Sequence, residues 1–390
     1  MAAPRRSNAT SSPGRYWGCE VSAPDDTAAL LRENIERYTA ERYSFEQRWT
    51  ALRSHRGYSE QAWSDYAAMG WLALRLPEDL GGIAAQATAV APLMEAVGSK
   101  LLLEPILASV ILATGLILKR GSVGQQADML PRLADGSLRV ALAYQESLRA
   151  DVATHCSCEY RNGALFGSKI AVLHGDCADR FIVSAINADA GGRVSLCLVD
   201  AGASGVARQG FRLLDGRGAA NLRFNAAPAD SFGAAAASNA DDEALAECLQ
   251  EAAVAQCCEA LGVIRALNVT TVQYLKARKQ FGKPIGANQA LQHRMVEMYM
   301  LEQEVRALSL AAQRALSGPV AGRDRIVSAA RAFTCQAARR IAAESVQMHG
   351  GVGISDELDV SHYYRRLMVS GTLFGNRDSH LARFRAASES

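Results

Sequence analysis

The stretch from Ala277 to His293, ARKQFGKPIGANQALQH, gathers a permanent cation (Arg278), an aromatic plane (Phe281) and two amide forks (Gln280 and Gln289) around Gly282 and Pro284. Guanidinium, amide and free backbone N–H groups pair phosphate oxygens, and an aromatic ring stacks on a base, so this set suits the pyrophosphate and adenine of a dinucleotide. The same composition also serves a plain helix–helix turn in which Gly282 and Pro284 supply only geometry. A second cluster, SVQMHGGVG from Ser345 to Gly353, runs a helix into the pair Gly350-Gly351, with Gln347 one turn earlier. Glycine there lets backbone approach a ligand closely, or simply stops the helix. His174, in HGD between two strand-like runs, reads as a turn residue rather than an acid or base.

Three regions must position these residues. Residues 1–25 are rich in Ser, Ala and Arg and carry Pro4, Pro13, Gly14 and Pro24, which gives neither helical nor strand periodicity and predicts a disordered extension rather than a secretory or transit signal. Residues 26–135 space apolar side chains by three and four, with turn signals at Leu80-Gly81-Gly82 and Gly121-Ser122, and predict an N-terminal helical domain. In residues 136–239 the period falls to two in RVALAY, RFIVSA, VSLCLV and NLRF, so a middle antiparallel β domain is expected, closed by NAAPADSFGAAAASNA as a linker. Residues 240–390 return to helices. Asp241 or Asp242 offers an N-cap, a sustained apolar stripe follows, and later helices are expected over 289–316, 323–349, 357–370 and 379–387 as a C-terminal four-helix bundle.

Composition narrows the function. The 390 residues carry 42 Lys+Arg against 40 Asp+Glu, a formal net charge of +2, which leaves no excess charge for nucleic acid. Nine cysteines without a CxxC pair suggest buried thiols in a reducing compartment, so a cytoplasmic location with neither disulfide framework nor metal is expected. The apolar run from Ile106 to Leu118 is shorter than the ~20 residues of a membrane span and reads as a buried helix.

Taken together, GWLALRLPEDLGG (Gly70 to Gly82), RKQFGKPIGANQALQH and SVQMHGGVG resemble the acyl-CoA dehydrogenase family of flavoproteins, over nearly everything after the extension. The resemblance implies an α+β fold of N-terminal helical domain, middle β domain and C-terminal bundle. It implies FAD as cofactor, an acyl-CoA substrate oxidised to the 2-enoyl-CoA, an electron-transfer acceptor protein and a tetramer. It assigns Arg278 to the FAD pyrophosphate across a subunit interface, Gln280, Phe281 and Gln289 to further FAD contacts, and Gln347, Gly350 and Gly351 to the adenosine end of the same FAD.

Two departures from the family pattern stand out. Where most relatives carry a catalytic glutamate before a glycine, YYRRLMVSGTLFGNRDSH places Phe374 before Gly375, and phenylalanine accepts no proton. Some relatives instead carry the base on the helix before RKQFG, at a position that falls on Ala252. Glu251 beside it is rotated ~100° around a helix, and Glu259 lies two turns on; Glu251 also reads as a solvated helix carboxylate and Glu259 as a structural acid. The catalytic residue is therefore unassigned. The stretch ALAYQESLRAD also lacks the family's threonine and serine motif for the flavin ring, and SKIAVLHGDCAD lacks the tryptophan expected on a later strand. FGNRDSHLARF and DELDVSHYYRR resemble small subunits of bacterial heteromeric acyl-CoA dehydrogenases for dicarboxylic or steroid side-chain esters. The resemblance then implies a chain that supplies adenosine-side contacts to a base-bearing paralogous subunit in a heterotetramer. The alternatives are a self-sufficient homotetramer with a relocated carboxylate, and a flavin-free assembly subunit. His349 and His362 read as packing.

Overall fold

The computed structural model describes residues 26–84, 87–147, 156–233, 240–318 and 322–389; the expected extension 1–25 lies outside them. The first helices are α1 (Asp26–Arg42), α2 (Phe45–Arg53), α3 (Glu60–Ala68) and α4 (Ala87–Ser99). The apolar run expected as one buried helix is a fully buried π-helical segment, Leu107–Ala113, continuing into α5 (Thr114–Arg120), before α6 (Val123–Ala134). Ser44 with Gln47 and Ser122 with Gln125 form reciprocal capping boxes that fix where α2 and α6 begin.

The sheet comprises β1 (Val140–Ala143), β2 (Glu159–Arg161), β3 (Ala164–Leu173), β4 (Arg180–Asn187), β5 (Arg193–Asp200), β6 (Val206–Arg212), β7 (Gly218–Pro228) and β8 (Asp230–Ser231). Its order is β6-β7-β3-β2-β4-β5-β8, with β1 against β4. It is antiparallel except that β1 and β2 both run parallel to β4. The first part of the expected linker is not a linker. NAAP ends β7, DS forms β8, and Leu165 opposes a fully buried Ala227. Small residues fit there because the neighbouring strand already fills the space, which composition alone reads as loop. Residues 234–239 of that stretch lie outside the described residues.

Helix α7 (Ala240–Ala277) crosses the molecule, followed by a hairpin of β9 (Lys279–Gln280) and β10 (Lys283–Pro284), then α8 (Gln289–Ser317), α9 (Arg323–His349), α10 (Asp359–Ser370) and α11 (Arg377–Glu389). Asp241 and Asp242 sit inside the first turn of α7 rather than at its cap, where they complement the helix dipole. By length and composition α7 could cross a bilayer, but 83% of its most apolar window is buried within the fold. Helices α4 and α7 meet backbone to backbone: a Cβ at Gly262 would lie 1.9 Å from the Glu95 carbonyl oxygen, and one at Gly98 2.0 Å from that of Glu259. All eight cysteines among the described residues are unpaired.

A buried charge network joins the three regions. Asp215 and Arg217, between β6 and β7, meet Glu259 of α7 and Arg366 of α10, all at most 3% exposed. Arg217 Nε donates to Asp215 at 2.7 Å, Arg366 Nη1 to Glu259 at 3.0 Å, and Arg366 Nε lies 3.1 Å from Asp215. Arg48 of α2 extends the network, donating to the carbonyls of Leu101 and Asp215 beside His362.

Three buried histidines set the acid limit of this fold. Burial, with help from Arg217, pushes His174 down to about 3; burial and Arg331 put His380 at about 3; burial, opposed by a bond to the Asp356 carbonyl and aided by Arg48, puts His362 at about 4. An unfolded imidazole titrates near ~6.5, so between that pH and about 4 the unfolded chain binds more protons and stability falls as pH is lowered. The urea midpoint is expected to drop clearly from pH 7 to pH 5 and to change little from pH 7 to pH 8. Equal midpoints at pH 5 and 7 would contradict neutral burial.

Candidate functional site

The cluster after α7 is a two-residue hairpin. Gln280 opposes Lys283, leaving Phe281 and Gly282 at the tip, both at positive φ (52° and 78°). That is the backbone a tight hairpin of this kind requires, and it is unfavourable for a bulky residue such as phenylalanine. The ring of Phe281 is 100% exposed. Arg278 precedes the hairpin with its N–H donating to the Tyr274 carbonyl at 2.8 Å and its own carbonyl accepting from Ile285 at 2.9 Å, so its backbone is fixed while its side chain is exposed. Gln289 opens α8 and is exposed.

The second cluster lies at the same end of the bundle. Tyr274, one turn before Arg278, stacks on His349 with ring centres 4.3 Å apart and planes 28° apart, and its hydroxyl donates to the His349 carbonyl at 3.3 Å. His349 Nδ1 lies 2.8 Å from the Ser345 carbonyl oxygen. This contact brings two blocks far apart in sequence onto one surface, where Gln347, Gly350 (φ 66°) and Gly351 are all exposed. Exposed Val296, Tyr299, Met300 and Leu310 continue an apolar face along α8, at helical spacing. The seven residues are thus all exposed, with apolar side chains along α8 beside them.

The other half of the expected site is built differently. Phe374 follows α10 at φ 55°, and its ring stacks on Tyr144, just after β1, with centres 6.4 Å apart. The turn is locked from two sides. Arg331 of α9 donates to the carbonyls of Ser370 and, at 3.0 Å, Leu373, while His380 Nε2 of α11 sits 3.0 Å from the Phe374 carbonyl oxygen. Phe374, Leu249 and Ala252 belong to one buried apolar cluster. Next to Tyr144, Glu146 accepts from Ser157 N, Cys158 N and the fully buried ammonium of Lys169 at 2.6 Å. Burial opposes the Glu146 carboxylate, but Lys169 and Ser157 outweigh it and hold the carboxyl at about 2. Of ALAYQESLRAD, residues 148–151 lie outside the described residues. On β3 the residue before Val172 is Ala171, at φ 49° in a register break.

Neither candidate carboxylate on α7, Glu251 or Glu259, faces this turn as a free acid. Glu251 Oε2 is 2.7 Å from Arg75 Nη2, and its Oε1 is 3.3 Å from Lys119. Glu259 belongs to the buried network; burial opposes its charge, yet Arg217 and Arg366 hold its carboxyl below the usual range. Glu251→Gln is therefore expected to lower turnover of the assembled enzyme by less than ~10-fold, well short of the ~10²-fold minimum for a lost general base. Steady-state kinetics on the co-purified complex would check this. His174 sits in a turn as expected, and His174, Asp176 and Cys177 place donor atoms within 4.8 Å of one another. Arg212 already holds Asp176 at 2.6 Å.

Tyr274 and Arg331 were not singled out by sequence. Tyr274 had a signal, lying one helical turn from Arg278; Arg331, in the middle of a helix, had none.

Comparison with known proteins bears on both ends. Residues 25–137 match the family model described as acyl-CoA dehydrogenase, N-terminal domain, and residues 243–388 match its C-terminal domain. The chain is 26% identical over 361 residues to acyl-CoA dehydrogenase IpdE2 of Mycolicibacterium smegmatis, covering 92% of this chain and 97% of that protein. It is 28% identical over 336 residues to acyl-CoA dehydrogenase FadE27 of Mycobacterium tuberculosis, covering 84% and 87%. Among solved structures, the Tcur3481-Tcur3483 steroid ACAD superposes with a TM-score of 0.84 at 26% identity, covering 93% of this chain and 98% of that one. The ChsE4-ChsE5 complex of M. tuberculosis gives 0.83 at 23% identity, covering 94% and 99%, a likeness of fold.

Proposed function

Because the chain belongs to the acyl-CoA dehydrogenase family, we propose that it serves as the subunit of a heteromeric acyl-CoA dehydrogenase that completes an FAD seated mainly on a base-bearing partner. The observation that carries this reading is Phe374, an aromatic residue in a turn that Arg331 and His380 hold rigidly, stacked on Tyr144 where the family pattern places a proton acceptor. A chain that kept the turn and lost the acid is organised for assembly rather than for its own turnover.

The residues at the bundle end fit the cofactor's pyrophosphate and adenosine. Arg278 would pair the pyrophosphate, Gln280, Gln289 and Gln347 would offer amide donors and acceptors, and Gly350-Gly351 would let the backbone approach closely. Phe281 would present its ring to the same ligand. Their full exposure suits a cofactor whose remainder lies on another chain, and the apolar face of α8 suits a subunit contact. The flavin, when bound, supplies hydride acceptance during α,β-dehydrogenation of the thioester. This chain's own contribution is to hold the adenosine half and exclude water at the joint, while proton removal falls to the partner. A steroid or dicarboxylic acyl group, a separate electron-transfer protein and a cytoplasmic, tetrameric complex belong to the same proposal; the similar Tcur3481-Tcur3483 protein is a steroid ACAD, and unpaired thiols suit a reducing compartment.

The test is the visible spectrum and native mass of the chain, purified alone and co-expressed with a paralogue that carries glutamate where Phe374 stands. A colourless chain that becomes a yellow mixed tetramer with turnover supports the proposal. A yellow homotetramer that an acyl-CoA bleaches would overturn it in favour of a self-sufficient enzyme, and a colourless mixed complex would leave only an assembly role.

A further inference from the structure

A cavity of about 260 Å³ lies on the flank of α7 away from Ala252. Glu251, Val254, Ala255 and Cys258 line it at spacings of three and four, so they share one face of the helix. Ala252 is ~100° further round from Glu251, and neither it nor Phe374 lines the cavity. The opposite walls are Val90, Ala91 and Met94 of α4 and Ile111 of the π-helical segment, and exposed Ser317 at the end of α8 marks the mouth. The space opens to solvent at Ser317, and its wall joins aliphatic side chains to the polar groups of Arg75 and Glu251.

Two features keep it open. The glycine contacts at Gly98 and Gly262 fix α4 against α7 backbone to backbone, so α4 cannot slide inward to fill the space. Gly115 leaves room for the Arg75–Glu251 ion pair on the wall: a Cβ there would lie 2.8 Å from Arg75 Nη1 and 3.3 Å from Glu251 Oε2. Arg75 in turn donates to the Ile111 carbonyl at 2.7 Å, inside the π-helical segment, a kind of distortion that is frequent at functional sites.

We propose that this cavity is an accessory binding site for a neutral, polar-headed alkyl molecule, separate from the FAD rim and from the Phe374 turn. Size sets the tail. A cavity of ~150 Å³ holds one benzene, so this one takes roughly eight to ten heavy atoms. The wall sets the head. A carboxylate would gain from Arg75 and lose to Glu251, and an ammonium the reverse, whereas a hydroxyl can accept from the guanidinium and donate to the carboxylate. The ligand class is thus a medium-chain alcohol or primary amide.

The full-length chain, in whatever oligomeric state it purifies, would be titrated calorimetrically with 1-octanol, octanoate and octylammonium, and its crystals soaked in 8-bromo-1-octanol. The expected results are saturable octanol binding, at least ~10-fold weaker binding of both ions, and an anomalous bromine peak between α4 and α7. Ala255→Leu, which pushes a side chain into the space, is expected to weaken octanol at least ~10-fold with an unchanged unfolding midpoint. Octanoate binding as tightly as octanol, a bromine peak elsewhere or none, or unchanged octanol affinity in a folded Ala255→Leu protein would each overturn the proposal. Should Ala255→Leu not fold, the bromine position alone decides. Because none of these readouts involves flavin or turnover, failure here is separate from failure of the subunit role.

Discussion

Arg366→Ala is expected to destabilise the fold by about 3–5 kcal/mol, the range for removing one partner of a buried ion pair. Arg366 touches both carboxylates of the network, so its loss leaves the buried Asp215 and Glu259 sharing one remaining guanidinium, that of Arg217. The Leu102 carbonyl also loses its 2.8 Å donor. The effect should be seen as a large fall in the urea midpoint with native far-ultraviolet dichroism retained at zero denaturant. Removing Arg366 and Glu259 together, as Arg366→Met with Glu259→Leu, should cost much less than the sum of the two single changes, because the stranded charge disappears with its partner. Additive losses would mean that the pairing is not what holds these groups. The pH sign is consistent with that of the histidines. Burial opposes ionisation of Asp215 and Glu259, but Arg217 and Arg366 outweigh it and hold both carboxyls below their ordinary value. Their stabilisation is therefore fully present above the unfolded carboxylate range of ~4 and is lost as pH falls through the lowered folded values.

Arg278→Ala should act on function without touching stability. The side chain is exposed and makes no ion pair among the described residues, so the purified subunit should melt as before. In the co-expressed complex the same change removes a guanidinium from a pyrophosphate. Truncating one partner of a charge pair buried in an interface costs about 2–5 kcal/mol, which corresponds to FAD binding weaker by about thirtyfold or more. The ratio of visible to ultraviolet absorbance after gel filtration reads this directly. A mixed complex with full flavin content after Arg278→Ala would remove Arg278 from the FAD site. Gln347→Ala offers the companion measurement from the other block, and the two losses should not add fully if both groups hold one ligand.

The order of helices, strands and helices was legible because periodicity is a local property: the pattern of three and four gives way to two near residue 136 and returns at residue 240. The chemistry-bearing blocks were legible for a related reason. ARKQFGKPIGANQALQH and SVQMHGGVG carry particular residue types at short range, whereas the turn expected between two helices is a two-residue hairpin that holds Phe281 at positive φ. Readings that depended on distant neighbours were less secure. NAAPADS has loop-like composition, yet Leu165 across the sheet makes it a strand, and a stretch that looks like one buried helix becomes π-helical over Leu107–Ala113.

The sequence by itself determined the family and the absence of a carboxylate at Phe374, since each rests on residue identity. Tertiary structure alone decided which groups meet. Tyr274 joins the two blocks by stacking on His349, Arg75 and Lys119 claim Glu251, and Arg217 and Arg366 claim Glu259. A carboxylate written in a sequence has no partner until the chain folds, and whether it acts as a base or as half of an ion pair depends on which cation the fold brings within about 3 Å, and how far from water.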